Sequence, residues 1–334
     1  MFLNYINNFR GLAILFILVG HGFIIFYPYL DPLTSSFMTS LFENGTVLFL
    51  FISGFLFQHL SAKYQYKKYM LSKINNVILP YIIISIPAII YQMIWSPTFK
   101  EHFIYRFPKM IQVLYLYITG YHLVPFWFLP VISLFYLISP LLIKLDKWKY
   151  FYYMLPIFII ISTIVPKNFT NVLQSFVNLF SIYVLGMFVS HHKKKLIPLI
   201  QSKVILLTLL NVILIILSTL FLFMDLGDGR FLTMWNKIVL CFVILGYFSK
   251  YDYAINTKFK YMANVSFGLY FVHYYFQMAL GKIVDKFIIL NDLNQITLLL
   301  TCTLFTLLLI SLSVLAIFII KKIFSVHSRK IVGC

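Results

Sequence analysis

The stretch "NNFRGLAILFILVGHG", Asn7 to Gly22, sets an arginine at one end of an apolar run and a histidine eleven residues further on. At about 100° per residue, eleven residues come to roughly 1100°, so on a helix Arg10 and His21 project from nearly the same face, about 16 Å apart along the axis. An arginine at a membrane boundary reaches water. An imidazole at mid-depth needs a cavity or a partner.

The composition puts such a helix in lipid. Of 334 residues 61% are hydrophobic and 11% charged, far from the roughly 25% charged residues of soluble domains. Apolar runs near the ~20 residues that cross the hydrocarbon recur along the chain. They predict an all-α, polytopic integral membrane protein of about ten transmembrane helices, at 11–30, 44–61, 77–97, 124–143, 151–166, 173–190, 204–223, 233–249, 264–281 and 295–320, forming a single membrane domain over 1–334 with no appended soluble domain.

The net charge of +18 divides by loop. Alternate loops, counted from the N-terminus, hold nineteen cations, among them Arg10, Lys63, Lys193 and Lys258, against only Asp146 and Asp252. The other loops balance seven cations with seven acids, including Asp31, Glu43 and Asp228, and Lys237 lies inside the eighth span. This asymmetry predicts both termini in the cytoplasm. The basic clusters then read as topology signals and contacts to anionic membrane lipids, not as a nucleic-acid surface. The first run is too long for a cleaved signal's apolar core and reads as a retained anchor. Cys241 and Cys302 fall in spans and form no disulfide framework.

His273, in "VSFGLYFVHYYF", is placed at the depth of His21, so two imidazoles share a level. His102 and His122 fall in an outer loop and read as solvated or interfacial. With no Asp or Glu assigned to a span and no close ligand spacing, no metal site is expected, and imidazole is the candidate general base. On the residues alone two readings stand: an enzyme, or a secondary transporter or glycan exporter with His21 and His273 as a proton relay or substrate site.

Five ordered motifs resemble the membrane acyltransferase-3 family, bacterial inner-membrane O-acyltransferases. They are Arg10, Gly11, Ala13 and His21 in the first helix; "FLFISGFL" with Ser53 and Gly54; Lys73 and Asn76 ahead of "VILPY", where the family carries two basic residues; "FWFLPVISLFYLISP" with Trp127; and Ser266, Tyr270 and His273 in "NVSFGLYFVH". Asn7 stands where many members have an aspartate.

The resemblance implies transfer of an acetyl or other short acyl group from acyl-CoA, a co-substrate and not a bound cofactor, to a hydroxyl of a cell-surface polysaccharide, glycolipid or lipid-linked sugar. Arg10, Lys73 and Asn76 would hold the donor, His21 with Arg10 would serve catalysis, and Asn7, Ser53, Trp127, Tyr270 and His273 would line the cavity or meet the acceptor. Envelope-glycan assembly proteins are the implied partners. A non-catalytic scaffold is the remaining alternative, to which Asn7 and Asn76 lend support. Ser53 beside Gly54 reads as a close-packing pair before it reads as a nucleophile.

Overall fold

The computed structural model describes residues 3–227, 229–252 and 259–334; Asp228 and Lys258 of the charge pattern lie outside them. The longer helices are α1 (Asn4–Ile24), α2 (Pro32–Phe42), α3 (Thr46–His59), α4 (Tyr66–Lys73), α5 (Leu79–Trp95), α6 (Lys109–Thr119), α7 (Phe128–Leu137), α8 (Leu155–Ile164), α9 (Val172–His191), α10 (Val204–Phe223), α11 (Arg230–Lys250), α12 (Lys260–Phe287) and α13 (Gln295–Phe324). The described residues contain no strand.

Among the described residues seven segments are long and apolar enough to cross a membrane: Asn4–Ile24, Pro32–His59, Tyr66–Trp95, Val172–His191, Val204–Phe223, Arg230–Lys250 and Gln295–Val332. Lys109–Thr119 and Val124–Leu137 are apolar and long enough only when taken together, and are bent by 76°, as a broken span or a re-entrant loop would be. The expected spans at 151–166 and 264–281 are also helical. The first is the shorter apolar segment Phe151–Ile164. The second is α12, whose 28 residues include Ser266, His273 and Gln277 and so form a more polar rod.

The chain forms two compact units, Met1–His59 with Ile182–Ile317, and Leu60–Ser181 with Phe318–Cys334. In the first, the end of α1 packs with α12 and α13 through Phe23, Phe26, Leu280, Cys302 and Phe305. In the second, Ile89, Phe99, Ile104 and Leu116 form an apolar centre bordered by Tyr105, Tyr115 and Tyr121.

Two expectations are corrected in the first unit. The first helix begins at Asn4 and ends at Ile24, not at residue 30, so His21 stands in its last turn instead of at its middle. Glu43, expected in a loop, lies within the 28-residue segment Pro32–His59, at the break between α2 and α3 where Asn44 takes a positive φ of 60°. Lys237 is fully buried, and its position explains the break. A helix stopped in apolar surroundings leaves carbonyls open. The Lys237 ammonium and the Asn236 amide both donate to the Ser40 carbonyl, at 2.9 and 2.8 Å. A cation at a helix C-terminus also opposes the helix dipole.

Ser53 donates to its own helix at the Phe49 carbonyl, 2.9 Å away. A Cβ on Gly54 would stand 2.0 Å from the Tyr183 carbonyl oxygen, and one on Gly186 2.1 Å from that of Phe51. The two glycines let α3 and α9 meet backbone to backbone, as the packing reading of Ser53 and Gly54 requires. Gly54→Ala should lower stability in detergent by about 1–3 kcal/mol through overpacking, whereas Ser53→Ala should stay within about 0.5 kcal/mol; melting curves of the purified variants check both.

Candidate functional site

The site is built on the contact between α1 and α12. A Cβ on Gly11 would lie 2.5 Å from the Phe259 carbonyl oxygen and 3.1 Å from the Ala263 nitrogen, so only glycine lets the two backbones approach this closely. One residue earlier, the Arg10 guanidinium donates to the Ala263 carbonyl at 2.7 Å and to the Asn7 side-chain oxygen at 3.2 Å. The neutral Asn7 therefore still orients Arg10. Ser266 donates to the same Ala263 carbonyl at 2.9 Å.

From this clamp the two helices run in the same direction. Eleven residues along α1 from Arg10, and ten along α12 from Ala263, the rings of His21 and His273 meet with centroids 5.1 Å apart. Tyr274 stands edge-on to His21 at 5.9 Å, and Tyr270 lies 6.1 Å from His273. The stripe of Arg10 and His21 thus meets α12 at both ends.

His273 is fully buried. Its Nδ1 lies 3.0 Å from the Leu269 carbonyl. A carbonyl only accepts, so Nδ1 carries the proton and Nε2 carries a lone pair. Nε2 is buried without a hydrogen-bond partner among the described residues. An imidazole nitrogen of this kind can receive a proton or a substrate hydroxyl. No cluster of three or more His, Cys, Asp or Glu side chains that could hold a metal ion occurs among the described residues.

The remaining candidates fall in the second unit. Lys73 ends α4 and enters a π-helical turn, Ile74–Ile78, that contains Asn76; such wide turns are frequent at functional positions. The Lys73 ammonium lies over the rings of Tyr69 and Tyr136, at 5.2 and 4.9 Å. The Asn76 amide donates back to the Ser72 carbonyl at 2.7 Å. Trp127 is buried at the bend before α7, with the Lys167 ammonium 5.3 Å over its ring.

Sequence reasoning misplaced His122. It is 2% exposed, and its Nε2 lies 2.7 Å from the hydroxyl of Ser85, itself fully buried. The residue stands between α6 and α7, which reads as a loop in sequence, but the sharp bend folds that loop back into the unit.

Fold and polar interior define a multi-pass helical membrane protein with two imidazoles in contact, His273 fully buried and His21 partly so. The family model described as Acyltransferase domain matches residues 3–320. The chain belongs to this family, the membrane acyltransferase-3 family, whose reaction is acyl transfer. No curated protein and no solved structure matches.

Gly11→Ala should force α12 away from α1, lowering the melting temperature and, by parting the two histidines, activity with it. A loss of about 1–3 kcal/mol is the expected size, read by thermal unfolding in detergent.

Proposed function

We propose that the protein transfers an acetyl or other short acyl group from cytoplasmic acyl-CoA to a hydroxyl of a cell-surface polysaccharide, glycolipid or lipid-linked sugar. The observation that carries this reading is the His21–His273 pair, seated on a helix whose Arg10 is anchored one face-length away. It occurs in a chain of an acyltransferase family. In this reading the protein spans the bacterial inner membrane about ten times with both termini in the cytoplasm. The shared direction of α1 and α12 agrees with both being odd-numbered spans.

His21 takes the proton of the acceptor hydroxyl as its oxygen attacks the thioester carbonyl, and the coenzyme A thiolate leaves. His273, with an open ring nitrogen in the same polar centre, stabilises the charge that His21 gains. Arg10 attracts the donor's phosphates with its planar fork. Ser53 and Tyr270 shape the path to the two imidazoles.

His21→Ala should lower turnover with labelled acetyl-CoA by about 10²–10⁴-fold while leaving expression and melting temperature intact. Substrate transport with no acyl transfer in the purified protein would contradict the proposal. Arg10→Ala should act chiefly by raising the apparent Michaelis constant for the donor. Envelope polysaccharide from a deletion strain, compared with wild type by NMR, should lack ester groups.

A further inference from the structure

Ser85 and His122 have no part in the mechanism above, yet their arrangement is that of a nucleophile and its base. It starts from Gly120, which ends α6 in the left-handed conformation (φ 72°, ψ 12°) with its N–H bonded to the Leu116 carbonyl at 2.9 Å. A Cβ there would lie 2.4 Å from the Phe126 carbonyl oxygen. The turn brings His122 back over the last turn of α6, where Nδ1 meets that same Leu116 carbonyl at 3.0 Å. The carbonyl fixes the proton on Nδ1 and leaves the lone pair on Nε2. The contact of 2.7 Å between Nε2 and the Ser85 hydroxyl therefore has one polarity: Ser85 donates and His122 accepts.

Serine in a membrane helix ordinarily donates to a carbonyl one turn back, as Ser53 does to Phe49 and Ser133 to Leu129. Among the described residues Ser85 makes no such bond; its hydrogen bond is to His122. The pair is enclosed by the rings of Tyr81, Tyr117 and Phe126, centred 5.8, 6.0 and 5.5 Å from the imidazole. Exclusion of water strengthens a hydroxyl–imidazole interaction, and apolar walls suit an acyl chain. The order of parts, a hydroxyl, an imidazole and a group orienting the imidazole, is the logic of activated serine nucleophiles, with a backbone carbonyl in the third place.

We propose that Ser85 is a nucleophile that carries the acyl group as an ester, with His122 as its base. Ser85 Oγ attacks the thioester carbonyl while Nε2 takes the hydroxyl proton. The O–C bond forms and the C–S bond breaks, and the departing thiolate takes that proton, giving free coenzyme A and an acyl-serine. An acceptor hydroxyl then attacks the ester, its proton passing through Nε2 to Ser85 Oγ as the ester bond breaks, so Ser85 serves a second, acyl-enzyme route beside the direct transfer at His21. The identity of the donor rests on the acyl-transfer reading; the activated serine does not.

The test uses the full-length purified chain with two reagents, labelled acetyl-CoA in the absence of acceptor and a fluorophosphonate, which reports an activated serine independently of any donor. The expected result is one acyl group and one phosphonyl group, each mapped to Ser85 by mass spectrometry. Both should be absent in Ser85→Ala and formed about 10²-fold more slowly in His122→Gln. Where Ser85→Ala fails to fold, Ser85→Cys should take the label as a thioester, released by neutral hydroxylamine. Phosphonylation of Ser85 without acyl transfer of any kind supports the nucleophile and overturns the acyl-CoA reading. A Ser85 unmodified by both reagents in protein that turns over overturns the nucleophile and leaves a purely structural hydrogen bond.

Discussion

The first unit depends on one contact, the approach of α1 to α12 at Gly11. Without a Cβ there, the Phe259 carbonyl and the Ala263 nitrogen come close enough for Arg10 to reach the Ala263 carbonyl at 2.7 Å. In lipid there is little hydrophobic force to pull helices together, so close packing and interhelical hydrogen bonds must do it. A charge-assisted bond to a backbone carbonyl fixes both the separation and the register. Once the register is fixed at Ala263, helical geometry alone delivers His21 to His273.

Polar groups elsewhere in the interior follow the same economy of satisfied partners. The break in the second apolar segment opens the Ser40 carbonyl, and Asn236 and Lys237 close it. Ser40 also bonds Ser218 across to α10 at 3.0 Å, and Asn211 holds Asn236 in place at 2.8 and 3.1 Å. A lone lysine in an apolar helix is thereby explained as the partner of a helix end. In the second unit the αL turn at Gly120 performs the comparable task for His122.

Much of this was legible in the chain because helical period is fixed. The eleven-residue step from Arg10 to His21 predicted a shared face, and both residues indeed meet α12. Equal depth predicted that His21 and His273 share a level, and their rings touch. What depended on chain reversals was not legible. The sequence "ENG" at Glu43 to Gly45 reads as the loop before the second span, and the helix Pro32–Phe42 ahead of it, joined to α3 through a turn held by Asn44 on Thr233 of α11, was missed. His122 was misread because its partner is 37 residues away and reaches it only through the bend. Ser85, with no local signal at all, could be found only in three dimensions.

The central claim is that the clamp at Arg10 and Gly11 holds the two imidazoles together in one polar centre. The most direct measurement is an experimental structure of the protein in lipid nanodiscs, read at these two rings. The account predicts His21 and His273 within about 5 Å, in the range of ring–ring contact, with Arg10 on the Ala263 carbonyl. A His21 ring turned to the acyl chains of the lipid, or an α12 slid by a turn so that the rings part, would contradict it.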